Sequence, residues 1–121
     1  MPRILIIEDD QASRELLKVR LEEKGYETAF AADAVTAMGV ARKEVPDLIL
    51  LDFGLPGGDG VVVMDRLKAF PALAHIPIIV VSGGEPTTTG KRAEEAGAFG
   101  FIRKPVDVEE LLGAVRRALD E

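Results

Sequence analysis

Three short apolar runs constrain this chain more than any other feature: Ile4-Leu5-Ile6-Ile7, Leu48-Ile49-Leu50-Leu51 and Ile78-Ile79-Val80-Val81. Each has the length of a strand and shows no alternation of polar and apolar residues. Such runs suit strands covered on both faces, as in a parallel sheet flanked by helices. Helix-like segments separate the runs. The chain therefore alternates strand and helix, which predicts βαβ units with right-handed crossovers.

Gln11 to Lys24 predicts a first helix, with Leu16, Leu17, Val19 and Leu21 as its apolar side and Gly25 as its stop. Tyr26 to Ala31 predicts a short strand. Asp33 offers a cap for a second helix carrying Val35, Met38 and Ala41, which ends before Pro46. Asp59 offers a cap for a third, through Val63, Met64 and Leu67, broken before Pro71. Thr87-Thr88-Thr89 offers a cap for a fourth, stopped at Gly97. Asp107 offers a cap for a fifth, in which Val108, Leu111, Leu112, Val115 and Leu119 form a buried stripe.

The length of 121 residues fits one domain, residues 1–121. An apolar content of 47% excludes disorder. There is no cysteine, hence no disulfide and no thiolate metal site, which fits a reducing compartment; a cytoplasmic location is expected. No apolar run approaches the roughly 20 residues of a membrane span, and Met1-Pro2-Arg3 leads straight into a strand, so no signal peptide is expected. The net charge of −6 argues against a general nucleic-acid binder.

Each strand-like run ends in residues suited to phosphate chemistry. The first runs into Glu8-Asp9-Asp10, the second into Asp52, the third into Ser82, and Phe99 to Arg103 runs into Lys104-Pro105. In a parallel α/β sheet the carboxyl ends of the strands share one edge, where ligands bind. Acids, a hydroxyl and an ammonium would meet there. Such a set can hold a divalent cation and an anionic group beside a carboxylate.

Each residue also has a plainer reading. Asp52, followed by Phe53-Gly54-Leu55-Pro56-Gly57-Gly58, is either a rigidly held, exposed carboxylate or a turn aspartate. Among Glu8, Asp9 and Asp10 the charges repel, and a hard divalent cation relieves that repulsion. Alternatively one acid caps the helix and the others are solvated; Asp10 is the expected cap. Ser82, before Gly83-Gly84, can donate to a phosphoryl oxygen or simply begin a loop. Lys104 ends an apolar strand, so it either pairs with an acid across the sheet edge or snorkels to the surface. Pro105 raises the prospect of a cis peptide bond. His75, the only histidine, lacks metal-ligand spacing and reads as surface. Gly57-Gly58-Asp59-Gly60 lacks the ending of a phosphate-binding loop, and Gly54-x-x-Gly57 is no dinucleotide fingerprint.

In order and spacing these blocks resemble the receiver domain of two-component response regulators. The resemblance covers essentially the whole chain. It rests on Ile4 to Asp10, on Leu51 to Gly60, on Val80-Val81-Ser82-Gly83, and on Ala96 to Pro105. It implies an α/β fold: a flavodoxin-like, doubly wound, five-stranded parallel sheet in the order 2-1-3-4-5 with five helices.

The resemblance implies that Asp52 is the phosphoacceptor. Glu8 and Asp9 match the acidic pair of a Mg2+ site, with Asp9, Asp52 and the backbone carbonyl of Gly54 as direct ligands. Ser82 matches the switch hydroxyl and Lys104 the lysine of the site. Phe101 stands where the family carries its switch aromatic, most often tyrosine. The implied chemistry is phosphoryl transfer to Asp52 from a sensor histidine kinase or histidine phosphotransfer protein, followed by self-dephosphorylation. That describes a phosphorylation-dependent signalling switch. The implied output is a protein partner on the face of the fourth helix, fifth strand and fifth helix.

Three departures bear on that picture. Phe101 lacks a hydroxyl. Gly83 replaces a common alanine and keeps its smallness. Phe99-Gly100 stands where many DNA-binding regulators carry acids that pair across a dimer. That dimer is therefore not expected; given the acidic net charge and the lack of a membrane span, neither is direct nucleic-acid binding by this domain or membrane contact. The bare Gly54 and Gly84 leave an acyl phosphate unshielded, so its lifetime should be short. A degenerate receiver acting as a constitutive interaction module is opposed by intact Asp9, Asp52, Ser82 and Lys104. A phosphate-ester hydrolase is opposed by Gly54 in the second position of the usual Asp-x-Asp pair.

Overall fold

The computed structural model describes residues 1–55 and 60–121. The apolar runs become β1 (Arg3–Ile7), β3 (Leu48–Leu51) and β4 (Ile78–Ser82), joined by β2 (Glu27–Ala31) and β5 (Gly100–Arg103). All pairings are parallel and the order is β2-β1-β3-β4-β5. The expected flavodoxin-like sheet is what forms.

The sheet is covered on both sides. Alternate residues of one strand serve opposite cores. Leu5 and Ile7 of β1 face α2 (Ala34–Glu44), α3 (Gly60–Ala69) and α4 (Lys91–Glu95). Ile4 and Ile6 face α1 (Gln11–Glu22) and α5 (Val108–Ala118). That two-sided burial is why these strands carry no polar alternation.

The helix starts follow capping chemistry. Asp10 accepts from Ser13 N at 2.8 Å, Asp33 from Thr36 N at 2.8 Å and Asp107 from Glu110 N at 3.1 Å. The expected Asp59 cap and the Pro56-Gly57-Gly58 turn lie outside the described residues. Gly25 (φ 91°) and Gly97 (φ 96°) end α1 and α4 in the left-handed region that glycine tolerates.

Three local expectations are corrected. In α1 only Leu17 and Leu21 are buried, while Leu16 and Val19 are exposed. Those two lie roughly 100° and 200° around the helix from Leu17, off the line that touches the sheet. In α2 the inner face is Ala34, Ala37 and Ala41, while Val35 is exposed. The threonines cap nothing. Pro86–Gly90 is a single π-helical turn leading into α4, and the Glu85 carbonyl accepts from the N–H groups of Thr88, Thr89 and Gly90. Proline at the first position of that turn removes a donor that would have no partner.

Candidate functional site

Three strand ends deliver the acids and the lysine to one point. β1 runs out into Glu8 and Asp9, and β3 into Asp52. The Asp52 N–H donates to Ile7 O at 3.0 Å, so the two ends are in register. Oxygens of Glu8, Asp9 and Asp52 lie within 4.8 Å of one another. Glu8 is buried, Asp9 exposed and Asp52 intermediate. This set of hard oxygen donors, open on the Asp9 side, fits a divalent cation that keeps part of its water shell.

Lys104 reaches the same point from β5. Its ammonium donates to Glu8 Oε1 and, at 3.3 Å, to Asp52 Oδ2. So the lysine is paired across the sheet edge rather than snorkelling. Its backbone N–H donates to Ser82 O at 2.9 Å, which fixes the end of β5 against the end of β4. The Lys104–Pro105 peptide is cis.

Burial sets the proton affinities here. Removal from water pushes the Glu8 carboxyl up; the Lys104 hydrogen bond opposes this, and the nearby Asp52 charge adds to it. The outcome is about 6. For Lys104 burial acts downward, but hydrogen bonding to Glu8 and the charges of Asp52 and Glu8 outweigh it, so its affinity for the proton rises.

Of the other residues the sequence singled out, Gly54 and Ser82 stand at this strand edge, whereas Phe101 lies within β5, and Phe99 and His75 precede β5 and β4 toward the opposite ends of those strands. Gly54 N donates to Asp52 Oδ1 at 2.9 Å, closing a tight turn that fixes the carboxylate. Ser82 is buried at the end of β4, its Oγ accepting from Gly84 N at 3.5 Å. Phe101 is half-buried against the core and lies beside Gly90, where a Cβ would stand 3.4 Å from its ring. Phe99 precedes β5 and is exposed. His75 is exposed.

Two features escaped the sequence reading. Arg14, one turn into α1, donates from Nη1 to the carbonyls of Glu8 at 3.0 Å and Asp9 at 3.1 Å. It braces the acid loop through backbone atoms, a role that no side-chain motif announces. The second is a close approach at Gly84. A Cβ there would meet Thr89 Oγ1 at 1.9 Å and Thr89 Cβ at 2.6 Å. Gly84 is thus reserved for packing against the π-helical turn, whereas at Gly54 a Cβ would stand 3.5 Å from Asp52 Oδ1, an ordinary contact.

Across residues 4–116 the chain matches the response regulator receiver domain. It belongs to that family. Among curated relatives, the receiver is 39% identical over 98% of its length to the DNA-binding dual master transcriptional regulator RpaA of Synechocystis, of which it spans about half (49%). It is 33% identical to Sporulation initiation phosphotransferase F of Bacillus subtilis, covering 97% of this chain and 93% of that one. Among solved structures, a putative response regulator from Chloroflexus aurantiacus superposes with a TM-score of 0.94 at 30% identity, over 99% of this chain and 98% of that one. The receiver is thus a two-component signalling switch. Receivers bind Mg2+ at an acidic pocket, and Glu8, Asp9 and Asp52 form an acidic group here. They interact with histidine kinases or phosphotransfer proteins and with downstream effectors. Among the described residues no helix is long and apolar enough to cross a membrane.

Proposed function

We propose that residues 1–121 act as one receiver unit, in the cytoplasm, that takes a phosphoryl group onto Asp52 from a phosphohistidine on a sensor kinase or phosphotransfer protein. The observation that carries this reading is the meeting of Glu8, Asp9, Asp52 and Lys104 at one strand edge. An Asp52 carboxylate oxygen attacks phosphorus, the O–P bond forms and the N–P bond breaks. The electron pair returns to the imidazole nitrogen, which takes up a proton. Little covalent chemistry is asked of the protein beyond positioning and charge stabilisation.

Asp9, Asp52 and the Gly54 carbonyl would hold Mg2+, with Glu8 beside them. A bound Mg2+ would neutralise the carboxylates and a phosphoryl oxygen. Lys104 is placed to exchange part of its contact with Asp52 for a developing phosphoryl charge. Ser82 supplies a hydroxyl donor, and Phe101 repacks beside Gly90 as the hydroxyl moves. Such a shift redistributes two existing states rather than creating one. Output then passes to a protein partner on the α4, β5 and α5 face, where Phe99 is exposed. Water later hydrolyses the acyl phosphate, resetting the switch.

Intact-mass spectrometry after acetyl phosphate and Mg2+ tests the assignment. The parent should gain one phosphoryl mass, and near-isosteric Asp52→Asn should gain none while keeping its fold. An undiminished adduct in the variant would overturn it.

A further inference from the structure

The edge strand β2 is tied to the sheet on one side only. Glu27 N donates to Pro2 O at 2.9 Å, and Ala31 O accepts from Glu8 N at 3.0 Å. Backbone groups alternate sides along a strand, so the N–H and C=O of Thr28 and Phe30 point away from β1. Among the described residues no strand lies beyond them.

A cavity of about 470 Å³ runs along this open edge, between α1 and α2. Arg14 and Lys18 line it from α1, Lys43 from α2, and Phe30 from the strand itself. Phe30 is 57% exposed, and the Arg14 guanidinium lies 4.6 Å from its ring centre. Lys18 and Lys43 make no ion pair among the described residues. Glu44, also in the wall, faces Arg3 at 3.9 Å, which leaves Glu15 as the acid there without an ion pair. On a chain of net charge −6 the wall sets three cations, Arg14, Lys18 and Lys43, against two acids, while Glu22 at its margin accepts from Thr28 Oγ1 at 2.7 Å.

We propose that this edge binds an extended, acidic segment of a partner protein, which adds as a sixth strand beside β2. The outward backbone groups of Thr28 and Phe30 would pair with the added strand, the usual basis of affinity in strand addition. Side chains of that strand alternate between faces. Successive acids would therefore meet Arg14 and Lys18 on one face and Lys43 on the other, with an aliphatic residue against Phe30. Charges also guard edges against chance pairing.

The test is a titration of the 15N-labelled chain with the capped peptide Glu-Glu-Val-Asp-Glu-Val, which carries acids on both faces of an extended strand, at low salt. Expected are shifts and new exchange protection at the amides of Thr28 and Phe30, with the already paired Ala29 and Ala31 little changed. Lys18→Glu with Lys43→Glu, checked for folding by circular dichroism, should weaken binding about tenfold or more. Two further peptides, N-methylated on alternate residues in either phase, keep every charge but remove donors; one phase should lose binding. The proposal is overturned by unshifted Thr28 and Phe30 amides at millimolar peptide, by unchanged affinity in the double variant, or by full binding of both methylated peptides. A single-stranded oligonucleotide that reproduces the peptide's shifts would reassign the groove to polyanions in general.

Discussion

Glu8 is the buried member of the acid group, and its proton affinity is set by that burial before its partners act. Below its ordinary value of 4.5 the carboxyl is neutral in the folded and unfolded chain alike. Between 4.5 and about 6 the fold retains a proton that the unfolded chain has lost, so stability falls as pH rises through that window. The total is about 2 kcal/mol. In EDTA, urea unfolding of the parent from pH 4.5 to 6.5 should show that decline relative to Glu8→Gln. Parallel pH profiles would show that Glu8 is not strained by its setting. The two glycines behave differently. At Gly54 an added Cβ meets, among the described residues, only Asp52 Oδ1, at an ordinary 3.5 Å. Gly54→Leu should therefore slow loss of the phosphoryl group, read as adduct decay by mass spectrometry, and faster decay in a folded variant would contradict the shielding argument. At Gly84 even Ala strikes Thr89, so Gly84→Ala should lower the melting temperature.

Elements show where sequence was a good guide. The runs at β1, β3 and β4 and the stripe of α5 were legible because large aliphatic residues mark burial directly. Asp10, Asp33 and Asp107 were legible as caps because an acid before a helical period has one local use. Loss of the Asp107 cap should cost about 1 kcal/mol; denaturant unfolding of Asp107→Ala checks it, with a far smaller loss indicating that Glu110 N finds another acceptor. What failed was judging burial by size. In α2 alanines face the sheet because small side chains let the helix lie close, and the bulkier Val35 is left outside. The Thr87-Thr88-Thr89 cap failed because the Glu85 carbonyl satisfies those amides first. At the site, the strand-end acids, Ser82 and Lys104 could be read from order alone. The Arg14 brace could not, since its acceptors are backbone oxygens.

The whole molecule gathers like charges at one edge of its sheet. A cation that binds only the folded chain stabilises it. Millimolar Mg2+ should raise the melting temperature of the parent, while Asp9→Asn should be more stable than the parent without Mg2+ and should respond less. Equal responses measured by scanning calorimetry would remove Asp9 from the ligand set. The ion pair between Lys104 and Glu8 has a further consequence. Its partners stand 96 residues apart. During synthesis the amino-terminal part of a chain is available first. The carboxylates at Glu8, Asp9 and Asp52 therefore leave the ribosome well before Lys104, their counter-charge in the finished fold. A β2-β1-β3 sheet that formed in that interval would carry its acid cluster with no ammonium to offset it. Until β5 arrived, the Arg14 guanidinium on the Glu8 and Asp9 carbonyls, joined by a divalent cation from solution, would be the positive charge within reach.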